Sequence, residues 1–184
     1  MPTEKEKMLA GELYRAMDPE LSKDRLTARK AIHSYNATEP EQFAERAALL
    51  KSLLGSCHKT SFIEPPFRCD YGYNIHLGKA FYANFGCVML DVNRIEIGDY
   101  VKFGPNVQIY TATHPIDPEE RARFDEFAKP IKIGSKVWIG GGSIVLPGVE
   151  IGEGTTIGAG SVVTRSIPSR VVAAGNPCRV IREI

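Results

Sequence analysis

Residues 133–168 read IGSKVW, IGGGSI, VLPGVE, IGEGTT, IGAGSV, VTRSIP when broken every six residues. The first position of each unit is Ile133, Ile139, Val145, Ile151, Ile157 and Val163, an unbroken run of β-branched aliphatics. The second is mostly glycine (Gly134, Gly140, Gly152, Gly158), with Leu146 and Thr164 as exceptions. The fifth is Val137, Ser143, Val149, Thr155, Ser161 and Ile167, again small or β-branched. A fixed step of this kind marks a repeat architecture, and neither the helical nor the alternating-strand period produces it. Each unit supplies a very short strand and a turn, with the aliphatic pointing inward and the small residue beside it letting the backbone bend. One unit cannot bury its own apolar residue, whereas stacked coils can.

Upstream the step continues through Ile97, Phe103 and Ile109, with Gly98 and Gly104 behind the first two. Leu77-Gly78, Ala83-Asn84 and Met89-Leu90 form a looser set, separated from Ile97 by a two-residue slip. Taking three units to a coil, residues 133–150 and 151–168 make two coils, and 77–94 and 97–114 make two more.

Residues 1–56 have a different texture. Thr3 and Glu6 have capping-box spacing, and Met8, Leu9, Leu13 and Met17 extend an apolar face to a stop at Asp18-Pro19. A second helix is expected over about 22–35, with Ala28, Ala31, Ile32 and Tyr35 on one side. Thr38 and Glu41 repeat the capping spacing before Phe43, Ala47, Leu50 and Leu54, and Gly55 ends the third helix. We divide the chain into a helical cap, 1–56, and a coiled domain, 57–184, with an excursion at about 111–130.

The 184 residues carry 23 Lys+Arg and 22 Asp+Glu, which removes the bulk electrostatic case for nucleic acid or an anionic membrane as partner. No apolar run is long enough to span a bilayer, and no apolar core follows a basic start, so no secretory signal is expected. Cys57, Cys69, Cys87 and Cys178 lack paired spacing and read as reduced thiols of a cytoplasmic protein.

The repeat resembles that of the hexapeptide-repeat acyltransferases. The opening TEKEKMLAGELY (3–14), FRCDYGYNI (67–75), FYANF (81–85), IYTATHP (109–115) and GNPCRVI (175–181) resemble the branch that holds the maltose and galactoside O-acetyltransferases. The resemblance implies a mainly β fold, a left-handed parallel β-helix with an N-terminal helical cap. The left hand is implied by resemblance alone, since parallel crossovers are otherwise right-handed. It also implies acetyl-CoA as co-substrate, a sugar acceptor, and a homotrimer with its sites between subunits.

Acetyl transfer from a thioester to an alcohol needs a base near neutrality, donors for the developing oxyanion, and a groove for the pantetheine arm. Unperturbed imidazole, near pKa ~6.5, suits the first task. The polar excursion has His114 at its root, and the resemblance makes His114 the catalytic base in a direct ternary-complex transfer. His33 and His58 read as surface residues and His76 as a structural or rim residue. A cysteine acyl-enzyme through Cys69 or Cys87 lacks a suggestively placed histidine. By resemblance, Asp70, Tyr82 and Asn84 contact the sugar. Asn84, Trp138, Gly141, Ala159, Thr164, Arg165, Arg179 and Arg182 contact CoA, the small residues seating pantetheine and the arginines its phosphates. Asp125 and Glu126 are both open as orienters of His114. The galactoside branch has serine at the position of Asp70 and carboxylates near Ala16 and Val92, which favours glucose or maltose as acceptor here. Gly140-Gly141-Gly142 reads as a coil corner.

Two other readings compete with this one. A zinc-dependent γ-type carbonic anhydrase on the same solenoid needs three histidine ligands, and only His76 and His114 lie in the coils. No metal is therefore expected. A non-catalytic scaffold leaves the interrupted period at His114 unexplained.

Overall fold

A computed structural model describes residues 1–123 and 125–184. The chain is a left-handed parallel β-helix with helices packed at its N-terminal end. Three parallel ladders form its faces. Face 1 stacks Cys57, Leu77, Ile97, Ile133 and Ile151, with Ile167 bridging below. Face 2 stacks Ile63, Ala83, Phe103, Ile139, Ile157 and Ala173. Face 3 stacks Cys69, Met89, Ile109, Val145 and Val163. These inward residues and those at the fifth position are nearly all buried in one continuous core. Where the fifth position is polar the hydroxyl is satisfied, as in Thr155 Oγ1 donating to the Pro168 carbonyl at 2.7 Å.

The glycines of the second position are not the bending residues. A Cβ on Gly134 would stand 2.6 Å from the Glu153 nitrogen of the next coil, so this glycine permits close stacking. The bend falls at the fourth position, where Lys136, Gly142, Gly148, Gly154 and Gly160 all have positive φ. The two-residue slip is also regular. Cys57 pairs with Leu77, and Leu77 with Ile97, in steps of 20 residues. The extra residues lie each time at the edge between faces 3 and 1, in the corners 70–74 and 91–94. The excursion 111–130 leaves from this same edge one coil later.

The helical cap differs from its sequence reading at three places. Helix α1 (Glu4–Ala10) keeps the Thr3–Glu6 capping box but ends at Gly11 in the left-handed region. Asp18 caps the start of α2 (Pro19–Asn36) instead of stopping α1, its carboxylate accepting from Glu20 and Leu21 nitrogens, with Pro19 at the first helical position. Thr38 caps nothing, because α3 (Phe43–Leu53) starts behind Gln42 and the Thr38 hydroxyl is engaged by Tyr35 and Arg46. Between α1 and α2 the chain forms a short strand, Tyr14–Arg15. The C-terminal strand Arg179–Glu183 folds back antiparallel on Val171–Ala174 and closes the last coil on face 2.

Candidate functional site

The lengthened corners at the edge between faces 3 and 1 build one polar wall. Asp91 is fully buried, and its Oδ1 accepts the backbone N–H groups of Asp70 (3.0 Å) and Tyr71 (2.9 Å). Its Oδ2 accepts from Asn74 nitrogen at 3.3 Å, and the Asn74 amide returns a bond to the Asp91 carbonyl at 2.7 Å. Burial raises the Asp91 pKa to about 7 despite these donors, and Asp70 adds to the rise. In the same corner as Asp91, Asn93 donates its side-chain amide to the Met8 and Leu9 carbonyls and fastens α1 to the wall.

The excursion is more ordered than a polar loop. Ala112–Thr113 pairs antiparallel with Asp125–Ala128, which pairs in turn with Tyr14–Arg15. Met8, Tyr14, Leu21, Tyr71, Val92 and Ala128 form a second small core behind this sheet. Thr113, the last paired residue of its strand, stands opposite Phe127, and His114 follows it outside the ladder. On the far side Glu126 is paired with Tyr14. Directly opposed residues share a face of the sheet, so Tyr14 and Glu126 lie on one side. Asp125 pairs with Arg15 and belongs to the other side.

The Tyr14 hydroxyl is buried beside the Glu126 carboxylate. Burial, then the charge and hydrogen bonding of Glu126, raise its pKa far above the ordinary tyrosine value. Asp70, half-buried, has its pKa raised first by burial and then by Glu126, with Arg25 and Arg29 opposing. The Arg25 guanidinium is held by the Tyr71 hydroxyl (2.6 Å) and the Ala16 carbonyl (2.5 Å). His114 itself is exposed. Tyr14, Arg25 and Asp91 were missed from sequence. The signal for Asp91 was a carboxylate one coil beyond Asp70 at the same corner.

The remaining candidates lie elsewhere on the prism. Tyr82, Trp138 and Arg182 belong to the outer surface of face 2, in one column running Phe62, Tyr82, Lys102, Trp138, Thr156 to Val172 and across to Arg182. Arg179 sits at the head of the same terminal strand. Asn84, Gly141 and Ala159 lie at the edge between faces 2 and 3. There Asn84 Oδ1 caps the Phe85 nitrogen at 2.7 Å. A Cβ at Gly142 or Gly160 would meet nothing within 4 Å, so the corners of the lower coils carry little side chain at this edge. Gly142 with positive φ bears out the reading of 140–142 as a coil corner. Thr164 and Arg165 follow Val163 at the edge between faces 3 and 1, the edge of His114. Within one chain, therefore, His114, Asp70, Thr164 and Arg165 share one edge, and Asn84, Gly141 and Ala159 another. Among the described residues no three His, Cys, Asp or Glu side chains are grouped as metal ligands.

A three-faced parallel β-helix with a histidine-bearing excursion on one edge and a small-residue strip on another defines the hexapeptide acyltransferase class. The profile described as "Maltose acetyltransferase hexapeptide capping motif" matches residues 7–58, and "Bacterial transferase hexapeptide (six repeats)" matches 130–165. The structure is similar to a maltose O-acetyltransferase from Clostridium difficile 630 (TM-score 0.99, 52% identity, 100% of this chain and 98% of that one). It is also similar to a galactoside acetyltransferase in complex with coenzyme A (TM-score 0.96, 41% identity, coverage 100% and 92%). A hexapeptide-repeat acetyltransferase of Vibrio cholerae O1 biovar eltor, complexed with acetyl coenzyme A, gives a TM-score of 0.91 at 38% identity, covering 99% and 98%. The chain belongs to the hexapeptide-repeat acetyltransferase family, in the branch of the maltose and galactoside O-acetyltransferases.

Proposed function

We propose that this protein transfers the acetyl group of acetyl-CoA to a hydroxyl of glucose, maltose or a related sugar, at the 6-position, by direct attack in a ternary complex. The observation that carries the acceptor side is the half-buried Asp70 carboxylate, with Glu126 close enough to raise its pKa after burial. Carboxylates set together can accept neighbouring sugar hydroxyls in paired hydrogen bonds. The neighbouring Val92 is buried in the small core and Ala16 is packed against it, so the wall lacks the two further carboxylates of the galactoside branch. That favours glucose or maltose over a galactoside, which remains the second reading.

His114 takes the proton of the attacking hydroxyl as its oxygen bonds to the thioester carbonyl carbon. Glu126, on the strand that pairs with Ala112–Thr113, orients the ring and stabilises the imidazolium. Collapse of the tetrahedral adduct breaks the carbon–sulfur bond, and the imidazolium proton goes to the departing thiolate. Asn84, Trp138, Gly141, Ala159, Thr164, Arg165, Arg179 and Arg182 hold the CoA, with Tyr82 and Asn84 also meeting the sugar. Since these residues occupy two edges of one prism, a site using both is completed by a second copy, which supports a homotrimer with sites between subunits.

The test is free-thiol release from acetyl-CoA by the purified protein against glucose, maltose, galactosides and a blank without acceptor. Release that depends on sugar is expected, with glucose or maltose ahead. Release identical to the blank with every sugar would remove the sugar acceptor, and failure to bind CoA would favour a scaffold.

A further inference from the structure

We infer that the protein carries an extended groove, beneath α2, for the sugar units of an oligosaccharide acceptor beyond the unit that is acetylated. The inference rests on the acetyl-transfer reading. Two cavities lie side by side across the N-terminal end of face 3. The first, about 590 Å³, has Asp70 at one end and Asn36 and Pro66 at the other. The second, about 480 Å³, starts at the same Asn36 and Pro66 and continues to Phe85, Phe43 and Glu64. Shared walls make them two compartments of one trough.

Both ends reach residues assigned to the acceptor. Asp70 belongs to the wall beside Tyr14 and Glu126. Phe85 follows Asn84, whose side-chain Oδ1 accepts the Phe85 N–H, and Glu64 lies close enough to Tyr82 to raise its pKa, after burial. The trough therefore runs, within one chain, from the acceptor wall at Asp70 across face 3 to the edge of Phe85.

Its chemistry is that of a glycan site. Arg29, His33 and Asn36 follow one face of α2 at helical spacing and line the roof. Asn36 is locked by paired bonds to the nitrogen (2.8 Å) and carbonyl (2.9 Å) of Phe67, which fixes the middle of the trough. Arg68 lines the first compartment from the coil side, and Val88 and Leu90 offer apolar surface. In the second compartment Phe43 and Phe85 are more than half exposed, at 60% and 55%. Phe43 continues into Phe62 and Tyr82, with ring centroids 6.0 and 6.5 Å apart. Spaced hydrogen-bonding groups between aromatic and aliphatic patches suit rings that are hydroxylated at the rim and apolar on their faces. Arg29 and Arg68 line the first compartment with Asp70, and Arg46 lines the second with Glu64, so both compartments carry both signs of charge and the occupant is an uncharged oligosaccharide.

The experiment measures initial rates with glucose, maltose, maltotriose and maltotetraose for the wild type and for His33→Ala/Arg68→Ala and Phe43→Ala. In the wild type kcat/KM is expected to rise with chain length, by about tenfold from glucose to maltotriose, mainly through KM. The variants are expected to lose that gain while keeping the rate on glucose within about twofold. Rates flat or falling with length in the wild type would overturn the groove. So would equal losses on glucose and maltotriose, or a variant whose only change is weaker subunit association. Equilibrium binding of maltotriose without acetyl-CoA separates the two readings. Binding weakened by the variants, with no turnover on any sugar, keeps the groove and removes the transfer reaction. No binding to the wild type removes the groove.

Discussion

Asp91 Oδ1 accepts the backbone N–H of Asp70 at 3.0 Å, so a buried carboxylate sets the position of a second, half-buried one. The bond reaches from one coil to the corner above it. With the bonds to Tyr71 and Asn74, it ties the corner 70–74 to a fully buried anchor.

Removing that anchor is expected to be expensive. Asp91→Ala leaves three N–H groups without an acceptor, at about 1–3 kcal/mol each, so a loss on the order of 3–9 kcal/mol is expected in urea unfolding. Asp91→Asn keeps one oxygen and should lose less. Its sugar KM should rise more than its kcat falls, because Asp70 shifts while His114 does not. An unchanged KM would separate Asp91 from the acceptor wall.

The same residue predicts a pH dependence. Its folded pKa, about 7, lies above the ordinary value of 3.8. Between those two values the folded state binds more protons than the unfolded state, so stability contributed at Asp91 falls as pH rises from about 4 to about 7, then levels off. The wild type minus Asp91→Asn difference in unfolding free energy should drop across that window by up to about 4 kcal/mol. A difference independent of pH would mean that Asp91 titrates normally.

The glycine ladder predicts unequal costs for equal substitutions. At Gly134 a methyl meets the Glu153 nitrogen at 2.6 Å, while at Gly160, with φ +70, it meets nothing within 4 Å. Gly134→Ala is expected to cost about 3 kcal/mol through overpacking between coils, and Gly160→Ala about 1 kcal/mol through backbone conformation. Thermal unfolding of the pair checks the order. The reverse order would return the second-position glycines to the role of bending residues.

That contrast shows what could be read from the chain. The inward residues from Ile133 to Val163 were legible because identical steps place identical residues in one column. The glycines beside them were legible as necessary, but the reason lay in the coil below, which a linear pattern does not contain. The slip before Ile97 looked like an irregularity until the pairing of Cys57 with Leu77 showed it to recur. Tyr14 was hidden for a similar reason. A two-residue strand pairing with Glu126, more than a hundred residues away, leaves no local period, and its burial depends on a small core assembled from distant segments.

For the site itself the expected ranking is His114, then Glu126, then Asp125. His114→Ala should lower kcat by about 10²–10⁴-fold with CoA affinity and association unchanged. Glu126→Gln should lower it less, and Asp125→Asn little, because Asp125 pairs with Arg15 on the other side of the hairpin. Single-turnover rates with saturating sugar give the comparison. A larger effect of Asp125 than of Glu126 would contradict the register argument.

The division of the site between two edges gives the last prediction. His114 and Asn84 lie on different edges of one prism, so a site that uses both draws them from neighbouring copies. His114→Ala and Asn84→Ala proteins should each be nearly inactive. Unfolded, mixed in equal amounts and refolded together, they form assemblies in which some sites receive His114 from one variant and Asn84 from the other. With random mixing about a quarter of the sites contain both native residues, and about a quarter of wild-type activity should return. If both residues acted from the same chain, every site would still lack one of them, and mixing would restore nothing. Sedimentation of the mixture, run alongside, establishes that mixed assemblies formed, so that absence of recovery counts against the shared site and not against the refolding.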